Sequence, residues 1–471
     1  MATTQQPRTE FVKAISRLDA TALVVGSMIG SGIFIVSADI VRQTQAPALL
    51  LAVWAISGLV TLLGAITYGE LAAMFPKAGG QYVYLREGIS PLFGFLYGWT
   101  LFTVIQTATI AAVAIAFARF TAIFVPALSE TIFLGGSVGG YNLGLSWQRL
   151  FAIASVVALT WINVRGVRTA AVIQTTLTVI KTAALIGLIV LGITIGRNAQ
   201  AIAANFGTNF WPAGGFTLGL LPVIGAAMVG SLFSMDAWNN VGFASGEMKN
   251  PEKDVPFAMA AGVGIVTLLY VLANVAYLNV LPAQAIASAP QDRVGTAALQ
   301  AMFGDVGLYV MAAAIMISTF GCNNGLILSG ARVYYAMARD NLFFQKAGDL
   351  HPVYRTPALA LIVQAVWTSL LALSGTYGDL LNYIIFGAVL FYMVSVVGLF
   401  MLRARRPDLP RPLRAPGYPW LPAIYVAATG AICVNLLIEK PLYTWPGLVI
   451  IALGVPVYFL WRRFVSPSST T

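Results

Sequence analysis

Gly26-Ser27-Met28-Ile29-Gly30-Ser31-Gly32-Ile33-Phe34 interrupts the first apolar run of the chain near its middle. Three glycines within residues 26–32 weaken a helix there by about 1 kcal/mol each relative to alanine. Glycines and serines at this spacing also let membrane helices approach closely, so packing alone is one explanation. A second stretch has the same character: Gly230-Ser231-Leu232-Phe233-Ser234-Met235-Asp236-Ala237-Trp238-Asn239-Asn240, again in mid-run. Its carboxylate and two amides are costly at bilayer depth unless they face protein or water.

Around these two stretches lies a chain that is 58% hydrophobic and only 9% charged, with a mean hydropathy of +0.81. Soluble chains carry roughly a quarter charged residues, and their helices keep a polar face. Apolar runs near 20 residues instead match a hydrocarbon layer roughly 30 Å thick. A water-soluble globule is excluded. The expected architecture is an all-α polytopic membrane protein with 12 transmembrane helices, over 20–41, 47–74, 90–125, 148–164, 170–195, 217–246, 256–281, 299–338, 357–375, 379–402, 418–437 and 443–461. The 299–338 segment exceeds one span, and its end is expected to continue as a cytoplasmic surface helix.

The interrupted helices are the first and the sixth. Each opens a block of five spans, and five is odd, so the second block starts from the opposite side of the membrane. Residues 20–195 and 217–402 then form inverted repeats, with two extra helices in 418–463 and cytoplasmic tails at 1–19 and 464–471. Paired interruptions at matching positions of two halves point to the central site of a transporter.

Charge supports this topology. Twenty of the 27 Lys and Arg fall in alternate segments on one side, among them Arg8, Lys13 and Arg17, and six fall on the other. Lys181 belongs to neither. This positive-inside bias, rather than a basic face for nucleic acid, accounts for the net charge of +10 and puts both termini in the cytoplasm. No cleavage site follows the first apolar run, which reads as a retained helix. Two cysteines, Cys322 and Cys433, and one histidine, His351, supply neither a disulfide framework nor a metal site. No cofactor is expected, and no His/Cys/Asp constellation suggests an enzyme. Glu70 and Glu247 lie near inner helix ends and are expected at the surface, or else in gate-linked salt bridges.

The chemistry of the breaks follows from the backbone. Unwinding near Gly30, Ser31 and Gly32 frees N–H groups at the start of a half-helix, a setting that suits a carboxylate. Freed carbonyls near Met28, and those of Phe233, Ser234 and Asp236, suit an ammonium group. A zwitterion is complementary to both. Lys181 lies about 16 Å from one end of its span and 21 Å from the other, too deep to snorkel easily. It is read either as a structural partner for buried carbonyls or for Asp236, or as a cation surrogate or proton-titrating group.

At these residues the chain resembles the amino acid–polyamine–organocation superfamily, in particular bacterial relatives of the L-type amino-acid transporters. The resemblance extends through Gly69-Glu70-Leu71-Ala72-Ala73-Met74-Phe75-Pro76, Gly79-Gly80-Gln81-Tyr82-Val83-Tyr84-Leu85-Arg86, Gly246-Glu247-Met248-Lys249-Asn250-Pro251, Asn324-Gly325 and Gly330-Ala331-Arg332-Val333-Tyr334-Tyr335-Ala336-Met337-Ala338-Arg339-Asp340. It implies a LeuT-type fold, alternating access, and substrate held between unwound helices 1 and 6. Amide donors map to Ser31 and Gly32 and an aromatic lid to Phe233, with Trp238 and Asn239 nearby. Lys181 matches a helix 5 lysine that replaces sodium in similar sodium-independent members, with the Gly30 region and Ser318 as expected neighbours.

Two features depart from the family pattern. The external cysteine that ties animal L-type transporters to a glycoprotein subunit is missing, so no disulfide-linked heavy chain is expected. Asp236 stands where many relatives have a small residue, which leaves charge preference open. The expected function is sodium-independent exchange or proton-coupled uptake of L-amino acids, neutral ones in the first instance. The alternative is a polyamine or cationic amino-acid antiporter using Asp236.

Overall fold

The computed structural model describes residue 13 and residues 15–138, 141–373 and 377–464. Residues 1–12 and 14 of the expected amino-terminal tail, Arg8 among them, and residues 465–471 of the carboxy-terminal tail lie outside the described residues. The first span begins with α1 (Arg17–Met28), started by a capping box: Ser16 Oγ accepts from the Asp19 N–H, and the Ser16 N–H donates to Asp19 Oδ2. It resumes as α2 (Gly32–Thr44), bent from α1 by 41°. Proline at the first turn starts α3 (Pro47–Met74), α5 (Pro91–Thr100) and α12 (Pro251–Val280), where its missing N–H costs nothing.

Between α3 and α5 lies the short α4 (Gln81–Gly88). The third span continues through a π-helical turn, Leu101–Ile105, into α6 (Gln106–Thr121). Next come α7 (Trp147–Val164), α8 (Val167–Ile193), α9 (Ala199–Phe206), α10 (Leu220–Ser234) and α11 (Asn240–Phe243). Beyond α12 follow α13 (Ala283–Ala287), α14 (Val294–Arg339), α15 (Ala358–Ala372), α16 (Tyr377–Arg405), α17 (Trp420–Glu439) and α18 (Pro441–Phe464).

Among the described residues, nine helical spans are long and apolar enough to cross a membrane, and α1 with α2 makes a tenth. Two further apolar helices, α10 and α15, are shorter. Leu59, Val157, Leu268, Val366, Val449 and Leu460 stay exposed on these helices, as lipid-facing positions require. The molecule is a multi-pass membrane protein. Inside it, α12 packs along α3 and α1, α2 along α10, and α14 along α6 and α8.

Two sequence expectations change. Between α6 and α7, β1 (Leu134–Val138) pairs antiparallel with β2 (Tyr141–Leu145), Leu134 opposite Leu145 and Gly135 opposite Gly144, an element the sequence reading did not anticipate. Both glycines have positive φ, and a Cβ on Gly135 would lie 2.2 Å from the Leu143 carbonyl oxygen. The end of α14 is not a surface helix. Residues 321–338 are buried apart from Ala336, and the excess length lies at the other end, ahead of a kink at Gly304. The packed body also starts earlier than residue 20. Ile15 pairs in parallel with Met248, its N–H donating to the Glu247 carbonyl (3.0 Å) while its own carbonyl accepts from the Lys249 N–H (3.2 Å).

Candidate functional site

Two non-helical stretches face each other at the centre of the bundle. Ile29–Ser31 separates α1 from α2: the Ile29 N–H still closes α1 on the Val25 carbonyl, and the Phe34 N–H opens α2 on the Ser31 carbonyl. Residues 235–239 separate α10 from the single turn α11, and Ala237 adopts a φ of 67°. The two stretches touch. A Cβ on Gly32 would lie 2.0 Å from Ser234 Oγ, so only glycine permits this approach. Ahead of Phe34, the first N–H groups of α2 have no preceding turn to donate to, and they carry the positive end of its dipole.

Tyr270 of α12 joins the two breaks. Its hydroxyl shares its proton between the Met28 carbonyl (2.8 Å) and the Ser234 carbonyl (3.2 Å), while Trp54 packs edge-on against its ring. The carbonyls expected to be free are thus partly engaged, each keeping a second lone pair. Ser31 Oγ lies 2.9 Å from the Tyr377 hydroxyl, and the Tyr377 ring meets Phe233 edge-on at 6.0 Å. Phe233 therefore closes against α16 directly beside the first break.

Lys181 is 1% exposed. Its ammonium donates to the carbonyls of Gly26, Ile29 (2.8 Å) and Ser318 (3.4 Å). Ser318 Oγ in turn donates to the carbonyls of Ile29 (3.2 Å) and Gly30 (3.4 Å). Cys322 completes this wall, its thiol 3.0 Å from the Ser27 carbonyl. Three backbone carbonyl oxygens thus form a cage around the buried ammonium, beside the first break. Pairing of Lys181 with Asp236, one of the sequence alternatives, is not formed.

Asp236 turns to a different set of partners. Tyr392 of α16 donates its hydroxyl to the Asp236 carboxylate and also lies 3.1 Å from Asn239 Oδ1, while Asn239 Nδ2 donates to Gln81 Oε1 at 2.7 Å. Trp238 is buried between the rings of Tyr68 and Tyr392 and serves packing. Thus Met28, Gly30, Ser31, Gly32, Phe233 and Ser234 are brought together, with Lys181 and Ser318 behind them. Asp236 and Asn239 form an adjoining polar cluster with Gln81 and Tyr392. Sequence reasoning missed Tyr270, Tyr377 and Tyr392. A tyrosine buried in an apolar span needs a partner for its hydroxyl, and that was the available signal for Tyr270 and Tyr392.

Access differs at the two ends. A cavity of about 320 Å³, lined by Asp39, Arg42, Arg119, Asp292, Lys440 and Tyr377 among others, leads down to Gly230 from the end where α2 finishes. The opposite end is held by ion pairs. Of the two placements expected for Glu247 and Glu70, surface or salt bridge, both take the salt bridge: Glu247 is 1% exposed and takes Arg332 Nε at 3.0 Å; Glu70 is 0% exposed and takes Arg403 Nε at 3.0 Å and the Ala415 N–H at 2.7 Å. Burial without a partner would be prohibitive for a carboxylate, so these acids staple helix ends rather than meet water.

Residues 15–459 match the family profile described as amino acid permease. The chain belongs to the amino acid permease family. Among similar proteins, the serine/threonine exchanger SteT of Bacillus subtilis (strain 168) is 32% identical over 456 residues, covering 96% of this permease and 97% of the relative. The large neutral amino acids transporter small subunit 2 of Homo sapiens is 32% identical, covering 95% of this chain and 80% of the relative. The Asc-type amino acid transporter 1 of Homo sapiens is 29% identical, covering 97% and 84%. The facing breaks of this permease therefore lie within a segment matched end to end by amino-acid carriers.

Proposed function

We propose that the permease is a sodium-independent secondary carrier of neutral L-amino acids, working by exchange or proton-coupled uptake through alternating access. In this reading α10 and α15 complete 12 spans, residues 20–195 and 217–402 are inverted repeats, and 418–463 adds two helices. Both termini face the cytoplasm, so the 320 Å³ cavity is the outer vestibule. The pairs Glu247–Arg332 and Glu70–Arg403 then form the closed inner face. The substrate carboxylate binds the N–H groups of Ser31 and Gly32, and its ammonium binds carbonyls at Met28 and in the α10–α11 break.

The observation that carries this reading is Tyr270, which ties the Met28 and Ser234 carbonyls into one site from two separate breaks. Lys181 supports sodium independence, because its ammonium fills the oxygen cage beside the first break. The named substrates of the similar proteins, serine, threonine and large neutral amino acids, favour neutral solutes. Cys322 and Cys433 are both buried, which leaves no exposed thiol for a covalently attached subunit. The rival reading, a polyamine or cationic amino-acid antiporter, draws on the buried Asp236 carboxylate.

Radiolabelled uptake into proteoliposomes separates them. Saturable L-serine or L-leucine uptake, with counterflow and no change when choline replaces sodium, is the expected result. Uptake confined to arginine or putrescine favours the rival, and strict sodium dependence contradicts both.

A further inference from the structure

Beyond the central site, a cavity of about 630 Å³ opens at the end where α2 finishes. Its volume is within the roughly 300–1,000 Å³ usual for small-molecule pockets. It is built from the end of α6, the 126–131 loop, the start of α7, the 290–293 turn and both sides of the Gly304 kink in α14. Ile123 and Leu308 supply apolar wall; Glu130, Gln148, Arg293 and Gln300 supply polar groups.

The charges are unbalanced in an informative way. Arg119, just behind the wall, has its Nε 3.3 Å from Glu130 Oε1, and Gln148 Nε2 donates to the same oxygen at 3.4 Å. Arg293 donates only a long bond, 3.4 Å, to the Pro290 carbonyl. Two guanidinium groups thus share one carboxylate, and burial together with Arg119 pulls the Arg293 pKa below its ordinary value. A carboxylate arriving beside Arg293 would give that guanidinium a partner of its own, and Glu130 remains half-exposed to meet an ammonium.

We infer that this cavity is a second solute site, taking a zwitterionic amino acid with an apolar side chain: Arg293 meets the carboxylate, Glu130 the ammonium, and the Ile123–Leu308 wall the side chain. The site communicates with the first. Arg119 also donates to the Gln291 carbonyl (3.3 Å) and lies over the Tyr377 ring (5.8 Å), and Tyr377 bonds Ser31 at the central break. An occupant that claims Glu130 loosens Arg119 and, through it, the ring that lines the vestibule. The inference borrows from the proposed function only the class of solute.

Calorimetric titration of the purified full chain with L-leucine, and with its deaminated analogue isocaproate, tests it. The wild type should bind two leucines per chain and one isocaproate. Arg293→Gln should bind one leucine and hold isocaproate about tenfold more weakly or worse. Glu130→Gln should weaken the second leucine but not isocaproate, an asymmetry that misfolding would not produce. A single leucine in the wild type that Arg293→Gln leaves in place, or two unaltered sites in Arg293→Gln, overturns the proposal. Arg293-dependent binding without counterflow in proteoliposomes supports the pocket and sinks the transport reading instead.

Discussion

The Lys181 ammonium lies 2.8 Å from the Ile29 carbonyl, the first residue beyond α1, and so ties α8 to the break in the opening span. Removing it strands the carbonyls of Gly26, Ile29 and Ser318 in a buried site, at about 1–3 kcal/mol for the lost pairing. Lys181→Ala should therefore still fold but lose about tenfold or more in turnover, together with any proton dependence of uptake. Uptake across a pH series checks this, and flux identical to wild type at every pH would return Lys181 to a purely structural role.

Gly32→Ala should be far worse than an ordinary exposed glycine substitution. The added methyl falls 2.0 Å from Ser234 Oγ and 3.1 Å from Ser234 Cα. Overpacking of this kind costs roughly 1–3 kcal/mol, and here it pushes the two breaks apart. Counterflow should be abolished, and Ser234→Gly introduced alongside should recover part of it. Equal activity in the single and double variants would show that the contact is not needed.

Asp236→Asn should leave neutral amino-acid uptake largely intact, because the Asp236 carboxylate engages Tyr392 rather than the first break. Competition assays with arginine and putrescine supply the contrast: only the rival antiporter predicts that the variant loses every substrate.

The buried Glu247–Arg332 pair predicts a stability effect away from the substrate. Glu247→Ala leaves the Arg332 charge buried without its carboxylate, a loss of about 3–5 kcal/mol. Thermal unfolding in detergent should show a clear fall in midpoint, and Glu247→Ala combined with Arg332→Met should recover much of it.

Much of this was legible in the sequence because lipid is a demanding solvent. Spans are readable from apolar length, and α3 and α7 begin and end within a residue of the expected limits. The breaks were readable because glycine and carboxylate residues at mid-span have few bland explanations. Side-chain partners were not readable. Nothing in the order of residues says that Tyr270 reaches Met28 across 242 positions, or that Glu70 is buried against a connector more than 300 residues away. The end of α14 was misjudged for a related reason: Gly321 and Gly330 let neighbours pack closely enough to bury it, and length alone cannot reveal that.

The most direct test is a cryo-electron microscopy map of the permease with L-leucine bound. The predicted result places the leucine carboxylate within about 3.2 Å of the Ser31 and Gly32 N–H groups and its ammonium on carbonyls of the α10–α11 break. Continuous helices through residues 29–31 and 235–239, or leucine held at neither, would contradict the account.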